Sequence, residues 1–112
     1  MPSIFTKIIN REIPATIIYE DEQCLAFRDL RPQAPTHVLL IPKKEIASLD
    51  AISPEDQGLL GHLWLTIPKI AHQEGLAAGY RVVVNNGPEA GQTVDHIHFH
   101  ILGGRALGWP PG

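Results

Sequence analysis

The sequence predicts an α+β fold: an antiparallel sheet of about five strands with two helices packed to one side. Three observations point there. Residues 94–102 alternate histidine with apolar side chains, the period of a strand with one apolar face. Helix-start chemistry occurs at Ser3 and again at Ser53. The other apolar runs are joined by short connections, which favours antiparallel neighbours over crossovers.

The chain has 112 residues, read as one domain over residues 1–112, large enough to bury a core without staples. Its net charge of −3 argues against a general nucleic-acid or membrane binder. No apolar run is long enough to span a bilayer, and the opening residues lack the apolar region of a signal peptide. Cys24 is the only cysteine, which excludes an intrachain disulfide and a cysteine-cluster zinc site; its apolar neighbours predict a buried thiol. Together these features point to a cytoplasmic protein.

Taken in order, Ser3 caps a short helix with Ile4/Phe5 and Ile8/Ile9 on one side. Residues 15–20 are rich in β-branched side chains and predict a strand; Asp21 and Glu22 turn the chain, and residues 23–29 return. In the returning strand Cys24, Ala26 and Arg28 point one way, and Leu25, Phe27 and Asp29 the other. Two prolines within residues 31–35 exclude regular structure. Residues 36–41 predict a buried strand ended by Pro42, with His37 as a packed, hydrogen-bonded histidine near its start and Lys43 and Lys44 solvated beyond it.

Ser53, Pro54, Glu55 and Asp56 open the second helix, because a capping hydroxyl, a proline at the first position and early acids all suit a helix N-terminus. Leu59/Leu60, Leu63/Trp64, Ile67 and Ile70/Ala71 form its apolar stripe, which makes Trp64 a core or subunit contact. Glu55, His62, Thr66, Lys69 and Gln73 fall on the opposite, solvated face. Pro68 is expected to kink this helix, and Gly75 to end it. Residues 81–85 predict a further strand, leading to a turn-rich loop over residues 85–93.

In the row that follows, His96, His98 and His100 share one face and Ile97, Phe99 and Ile101 the other. The apolar face is expected against a core, and the imidazole face at a rim open to solvent or ligand. Three readings compete. A plain half-exposed strand gains nothing from histidine. A metal site suffers from geometry: the outer two backbones lie roughly 13 Å apart at about 3.3 Å per residue, whereas metal–nitrogen bonds span about 2 Å. Nucleophilic catalysis at phosphorus suits neutral imidazole near physiological pH, with neighbours that bind phosphate oxygens or move protons. The preceding loop favours this third reading, since Gly91 permits close backbone approach, successive N–H groups can form an anion nest, and Thr93 adds a hydroxyl.

The run from His96 to Leu102 resembles the signature of the histidine triad family. The rest of the chain is similar to its Hint branch, the histidine triad nucleotide-binding proteins, at residues 4–14, 26–29, 32–37, 41–44, 103–105 and 109–112. The resemblance implies the histidine-triad-like α+β fold, with its sheet extended across a homodimer, and it implies roles. His98 is the nucleophile that attacks the α-phosphorus, giving a nucleotidyl-histidine that water cleaves. His96 and His100 hold the phosphate and handle protons. Asn85, Gly91, Gln92 and Thr93, with His98 and His100, bind the phosphate and the leaving-group side. Asp29 accepts the ribose hydroxyls, for which a carboxylate is suited. Phe5, Ile8, Ile13, Phe27 and Leu30 form the purine slot, although each would otherwise be taken as core. Trp109, in the stiff C-terminal tail, contacts the partner subunit. No metal and no cofactor are implied.

Three features depart from the family pattern. Glu45 stands where many Hint proteins have histidine. Asp95 replaces an aromatic residue and faces away from the triad. Residues 87–94 look more like the fragile-histidine-triad branch, whose members hydrolyse dinucleoside polyphosphates. The expected activity is that of a purine nucleoside phosphoramidase acting on adenosine or guanosine derivatives of the monophosphate. The alternatives are a dinucleoside polyphosphate hydrolase and a nucleotide-binding scaffold with incidental turnover.

Overall fold

The computed structural model describes residues 2–112. Five strands, β1 (Ile17–Glu20), β2 (Cys24–Arg28), β3 (Thr36–Pro42), β4 (Tyr80–Val83) and β5 (Phe99–Gly103), form one antiparallel sheet in the order β1-β2-β3-β5-β4. Helix α1 (Ile4–Ile9) opens the chain, and α2 (Gln57–Gln73) connects β3 to β4. The expected α+β fold, with five antiparallel strands and two helices, is the fold observed.

The helices do not share a side. Cys24, Ala26, Val38, Leu40, Phe99 and Ile101 pack with Leu63, Ile67 and Ile70 of α2 in one core. Leu25, Phe27, Leu39 and Ile41, of opposite parity, pack with Phe5 and Ile8 of α1 in a second core. Strands alternate faces, so α1 and α2 lie on opposite sides of the sheet. This corrects the expectation of a single helical layer. It also explains why β2 is buried at four consecutive positions, a pattern that needs cover on both faces.

Both predicted helix starts are present. The Ser3 hydroxyl accepts the Thr6 N–H at 3.1 Å. On α1, Phe5 and Ile8 are buried, whereas Ile4 is half-exposed. Ser53 and Asp56 form a capping box on a 3-10 turn over Pro54–Asp56 that leads into α2. Pro68 lies inside α2, which runs continuously to Gln73. Thr66, expected in solvent, is fully buried; its hydroxyl donates to the His62 carbonyl at 2.7 Å, so burial leaves no donor unpaired. His62 is not simply solvated either: its Nε2–H donates to Asp21 at 2.7 Å. Lys43 pairs with Glu20 at 2.8 Å and Lys44 with Asp56 at 2.6 Å, where solvation alone was expected.

The histidine row is only partly strand. β5 begins at Phe99, so His96 and His98 precede it in irregular backbone. The register gives the reason. β3 pairs Leu40 with Phe99, and two more steps would set Pro42 opposite Ile97. Proline has no N–H for a ladder. Instead, the Ile97 N–H donates to the Ile46 carbonyl at 2.7 Å. Among the described residues, no helix is long and apolar enough to cross a membrane.

Candidate active site

His96, His98 and His100 come together on the α1 side of the sheet. His96 is wholly buried and His98 6% exposed, with His100 half-buried. The row is therefore walled in rather than open at a rim. Helix α1 supplies the wall: the Phe5 ring stands edge-on to His98 at 5.1 Å and to His96 at 5.9 Å. Of the row's apolar residues, Phe99 and Ile101 pack in the core on the α2 side, where Trp64, itself half-exposed, stands edge-on to Phe99, and Ile97 is buried.

Hydrogen bonds assign a tautomer to each ring, because a carbonyl oxygen can only accept and a backbone N–H only donate. His98 Nδ1 lies 2.7 Å from the His96 carbonyl oxygen, so Nδ1 carries the proton and Nε2 keeps its lone pair. His96 Nε2 donates to the Pro42 carbonyl at 2.8 Å, which leaves Nδ1 to accept from the Ser3 hydroxyl at 2.9 Å. The Gln33 N–H donates to His37 Nδ1 at 3.0 Å, so the His37 proton is on Nε2 and is donated to His100 Nδ1 at 2.9 Å. The remaining proton of neutral His100 is then on Nε2. That atom is buried and has no hydrogen-bond partner among the described residues.

The sequence placed His37 as a structural histidine, and it does pack and bond, at 5% exposure. It also fixes the protonation of His100, a role that sequence reasoning missed. The signal is the β3–β5 register, which sets Leu39 opposite His100 and His37 opposite Leu102, hence His37 diagonal to His100 on one face. Asp29 adds its carboxylate 3.5 Å from His37 Nε2. Burial, chiefly, keeps His37 and His96 below the ordinary histidine range, and burial plus the charges of His98 and His37 pushes His100 down to about 4. All three rings are therefore neutral at physiological pH.

The loop is braced by its own side chain. Gln92 Oε1 accepts the Gly87 N–H at 2.9 Å, and its Nε2 donates to the Ala47 and Val94 carbonyls at 2.7 and 3.0 Å. The backbone N–H groups of Ala90, Gly91 and Gln92 likewise bond within the loop, at 3.1–3.2 Å. Gly91 holds a left-handed conformation, φ 90°. The structure thus places Gln92 and Gly91 in the loop's frame, whereas Asn85 and Thr93 carry no side-chain hydrogen bond among the described residues. Of the expected purine slot, Phe5, Ile8 and Phe27 are buried together, while Ile13 and Leu30 are exposed, Leu30 at 93%. Asp29 is half-buried near the end of β2, with Oδ1 accepting the Arg31 N–H. Trp109 is exposed, with the Arg81 guanidinium 5.9 Å from its ring centroid.

A 350 Å³ cavity is lined by Pro2, Ser3, Ile4, Thr93, Val94 and Asp95, and so adjoins the triad through Ser3. A larger one, 630 Å³, lies between the end of α2, β4 and Ala106/Leu107, away from the histidines. The lining of this second cavity contains no histidine. Two groups bring metal-ligating atoms within 4.8 Å of one another: Asp29, His37 and His100, and Asp21, Cys24 and His62. Protein hydrogen bonds link each group. The buried Cys24 thiol, fully covered as predicted, is pushed up to about 12, mainly by burial.

A family model described as the HIT domain matches residues 10–107. A maize relative named "14 kDa zinc-binding protein" is 53% identical over 113 residues, covering 99% of this chain and 88% of that protein. The crystal structure of a HIT family hydrolase from Legionella pneumophila superposes with a TM-score of 0.96 at 51% identity, covering 99% of this chain and all of that one. A histidine triad nucleotide-binding protein from Candida albicans gives 0.83 at 37% identity, covering 97% of this chain and 83% of that one.

Proposed function

The chain belongs to the HIT, or histidine triad, family, and on that premise we propose that it is a hydrolase of purine nucleoside phosphoramidates, cleaving them at the α-phosphorus through a nucleotidyl group carried on His98. One observation carries the reading: a lone pair on His98 Nε2 beside a buried, unpartnered N–H on His100, with ring centroids 5.0 Å apart. A nucleophile next to a pre-set donor is what a phosphoryl centre requires.

In the first step the His98 Nε2 lone pair forms the P–N bond as the bond to the leaving amine breaks. The amine takes a proton from the Thr93 hydroxyl, which regains one from water. His98 becomes cationic, and its Nδ1–H is stabilised by the His96 carbonyl oxygen. His100 Nε2–H donates to a phosphate oxygen. Water then attacks phosphorus as the His98–P bond breaks; one proton of that water passes by way of the Thr93 hydroxyl to the hydroxide left by the first step, and the monophosphate leaves. Asn85 and Thr93 are assigned to the phosphate and leaving group, Gly91 and Gln92 to shaping the loop, Asp29 to the ribose hydroxyls, and Phe5, Ile8, Ile13, Phe27 and Leu30 to the purine.

The dinucleoside polyphosphate alternative draws on the loop pattern of residues 87–94. It needs cations for an anionic leaving group, and the available ones are engaged: Lys43 with Glu20, Lys44 with Asp56, and Arg105 with the Gln33 carbonyl. We therefore expect kcat/KM for an adenosine phosphoramidate to exceed that for diadenosine tri- or tetraphosphate by at least about tenfold, ~1.4 kcal/mol in transition-state stabilisation. Side-by-side kinetics decide it, with and without a chelator. Equal or faster polyphosphate cleavage overturns the order, and loss of activity with the chelator overturns the metal-free mechanism. His98→Ala should lower turnover by about 10³-fold or more while retaining monophosphate binding; near-normal turnover in that variant would sink the nucleophile assignment. Tight monophosphate binding without meaningful turnover by the wild type would favour the scaffold alternative.

A further inference from the structure

We infer that Glu45 is a positioning residue for the triad: through Ser3 it latches helix α1 against His96, and so holds the backbone that orients His98. The inference rests on the reading of His98 as nucleophile. The role of Glu45 in this chain is derived from its contacts.

Those contacts form a directed chain. Glu45 Oε1 accepts two hydrogen bonds from the first turn of α1, from the Ser3 N–H at 2.6 Å and from the Thr6 hydroxyl at 2.9 Å. The Ser3 hydroxyl accepts the Thr6 N–H at 3.1 Å, which leaves its proton free to donate to His96 Nδ1 at 2.9 Å. His96 is held on its other side by the Pro42 carbonyl, three residues before Glu45 on the same segment. The ring is thus clamped between α1 and the end of β3, with no exposed surface. Its own carbonyl oxygen accepts the His98 Nδ1–H at 2.7 Å. A displacement of Ser3 passes to the His96 ring and from its backbone to His98.

The same latch sets the wall of the site. Phe5, between Ser3 and Thr6 in sequence, contacts both His98 and His96 edge-on. Helix α1 has six residues, too few to be stable alone, so its seat must come from tertiary bonds and the burial of Phe5 and Ile8. Histidine at position 45 could not reproduce the arrangement in one tautomer: a neutral imidazole has a single acceptor nitrogen, whereas one Glu45 oxygen accepts two donors.

The test is a double-mutant cycle on kcat with an adenosine phosphoramidate, measured well below the melting temperature of every variant. Glu45→Ala and Ser3→Ala should each lower kcat about tenfold, and the double variant also about tenfold rather than a hundredfold, because both cut one chain. Glu45→Gln retains an acceptor oxygen and should restore kcat to within about twofold of wild type. In ring ¹⁵N spectra of the nucleotide-free protein, His96 Nδ1 should move toward an unbonded ring nitrogen in Glu45→Ala and stay in place in Glu45→Gln. Additive losses, or an unchanged kcat in Glu45→Ala, overturn the inference. A Glu45→Gln variant as slow as Glu45→Ala overturns it too, since charge rather than the latch would then be acting. Failure of the wild type to turn over the phosphoramidate would instead count against the functional reading, and the ¹⁵N spectra would still decide the latch.

Discussion

His100 illustrates how far one residue's chemistry depends on its neighbours. As a residue type it titrates near 6.5; in the folded chain burial and the charges of His98 and His37 push it down to about 4. Between those values the unfolded chain binds a proton that the folded chain refuses, so stability is complete above about pH 6.5 and falls as the pH drops toward 4. The shift corresponds to roughly 3 kcal/mol at most, and His37 and His96 move in the same direction. Urea unfolding from pH 7.5 to 4 should show this decline, and His100→Gln should flatten it; a profile with the same slope in both proteins would refute the assignment. The sequence identified the three histidines and their neighbours in the row, because alternation is a local pattern. It could not show that His37 sets the His100 tautomer, since that depends on a strand register between residues 63 positions apart. Nor could it show that Gln92 braces its own loop, because that role depends on the loop's closed shape.

At the level of elements, boundaries follow from backbone groups that a local reading cannot pair. The helix starts were legible because Ser3 and Ser53 satisfy donors within a few residues of themselves. The start of β5 was not, because it depends on Pro42 of another strand. Thr66, read by helical spacing onto the solvated face, stands three residues from Leu63 and four from Ile70 at the border of the apolar stripe, and its back-bond to His62 makes it compatible with the core. The far end of β5 is set by contacts of the same non-local kind. Gly104 has φ 93°, and a Cβ there would lie 2.9 Å from the Pro35 Cβ. Ring and backbone cannot yield as a flexible side-chain tip can. Gly104→Ala should therefore cost about 1–3 kcal/mol from conformation alone, with the contact adding to it. A denaturation midpoint equal to wild type would show that the Pro35 loop adapts freely.

At the scale of the whole molecule, the sheet divides two tasks. Its α2 face is a continuous apolar core, and its α1 face carries the histidines. The chain also presents features that it does not complete by itself. β4 pairs with β5 on one side only and is an edge strand of the sheet. Trp64, Leu65 and Tyr80 are exposed at 54%, 70% and 40%, on α2 and that edge strand. Edges and large apolar side chains in solvent favour association. A homodimer joined through β4 and α2 would cover them and extend the sheet across a two-fold axis. The tail belongs to the same expectation. Trp109 is 80% exposed, yet Gly108 is tethered by Arg81 of β4 at 2.8 Å, so the ring is held near the edge that a partner would approach. Light scattering at micromolar concentration should give twice the chain mass, and Tyr80→Pro, by removing an edge-strand N–H and the exposed ring, should shift it toward the monomer. If Trp109 then borders the partner's leaving-group side, deleting residues 109–112 should change the ranking of amine leaving groups while altering affinity for the purine monophosphate less than about twofold. A monomeric mass would refute the dimer. An unchanged ranking in a dimeric deletion variant would separate the two ideas, leaving the interface in place and removing the tail from specificity.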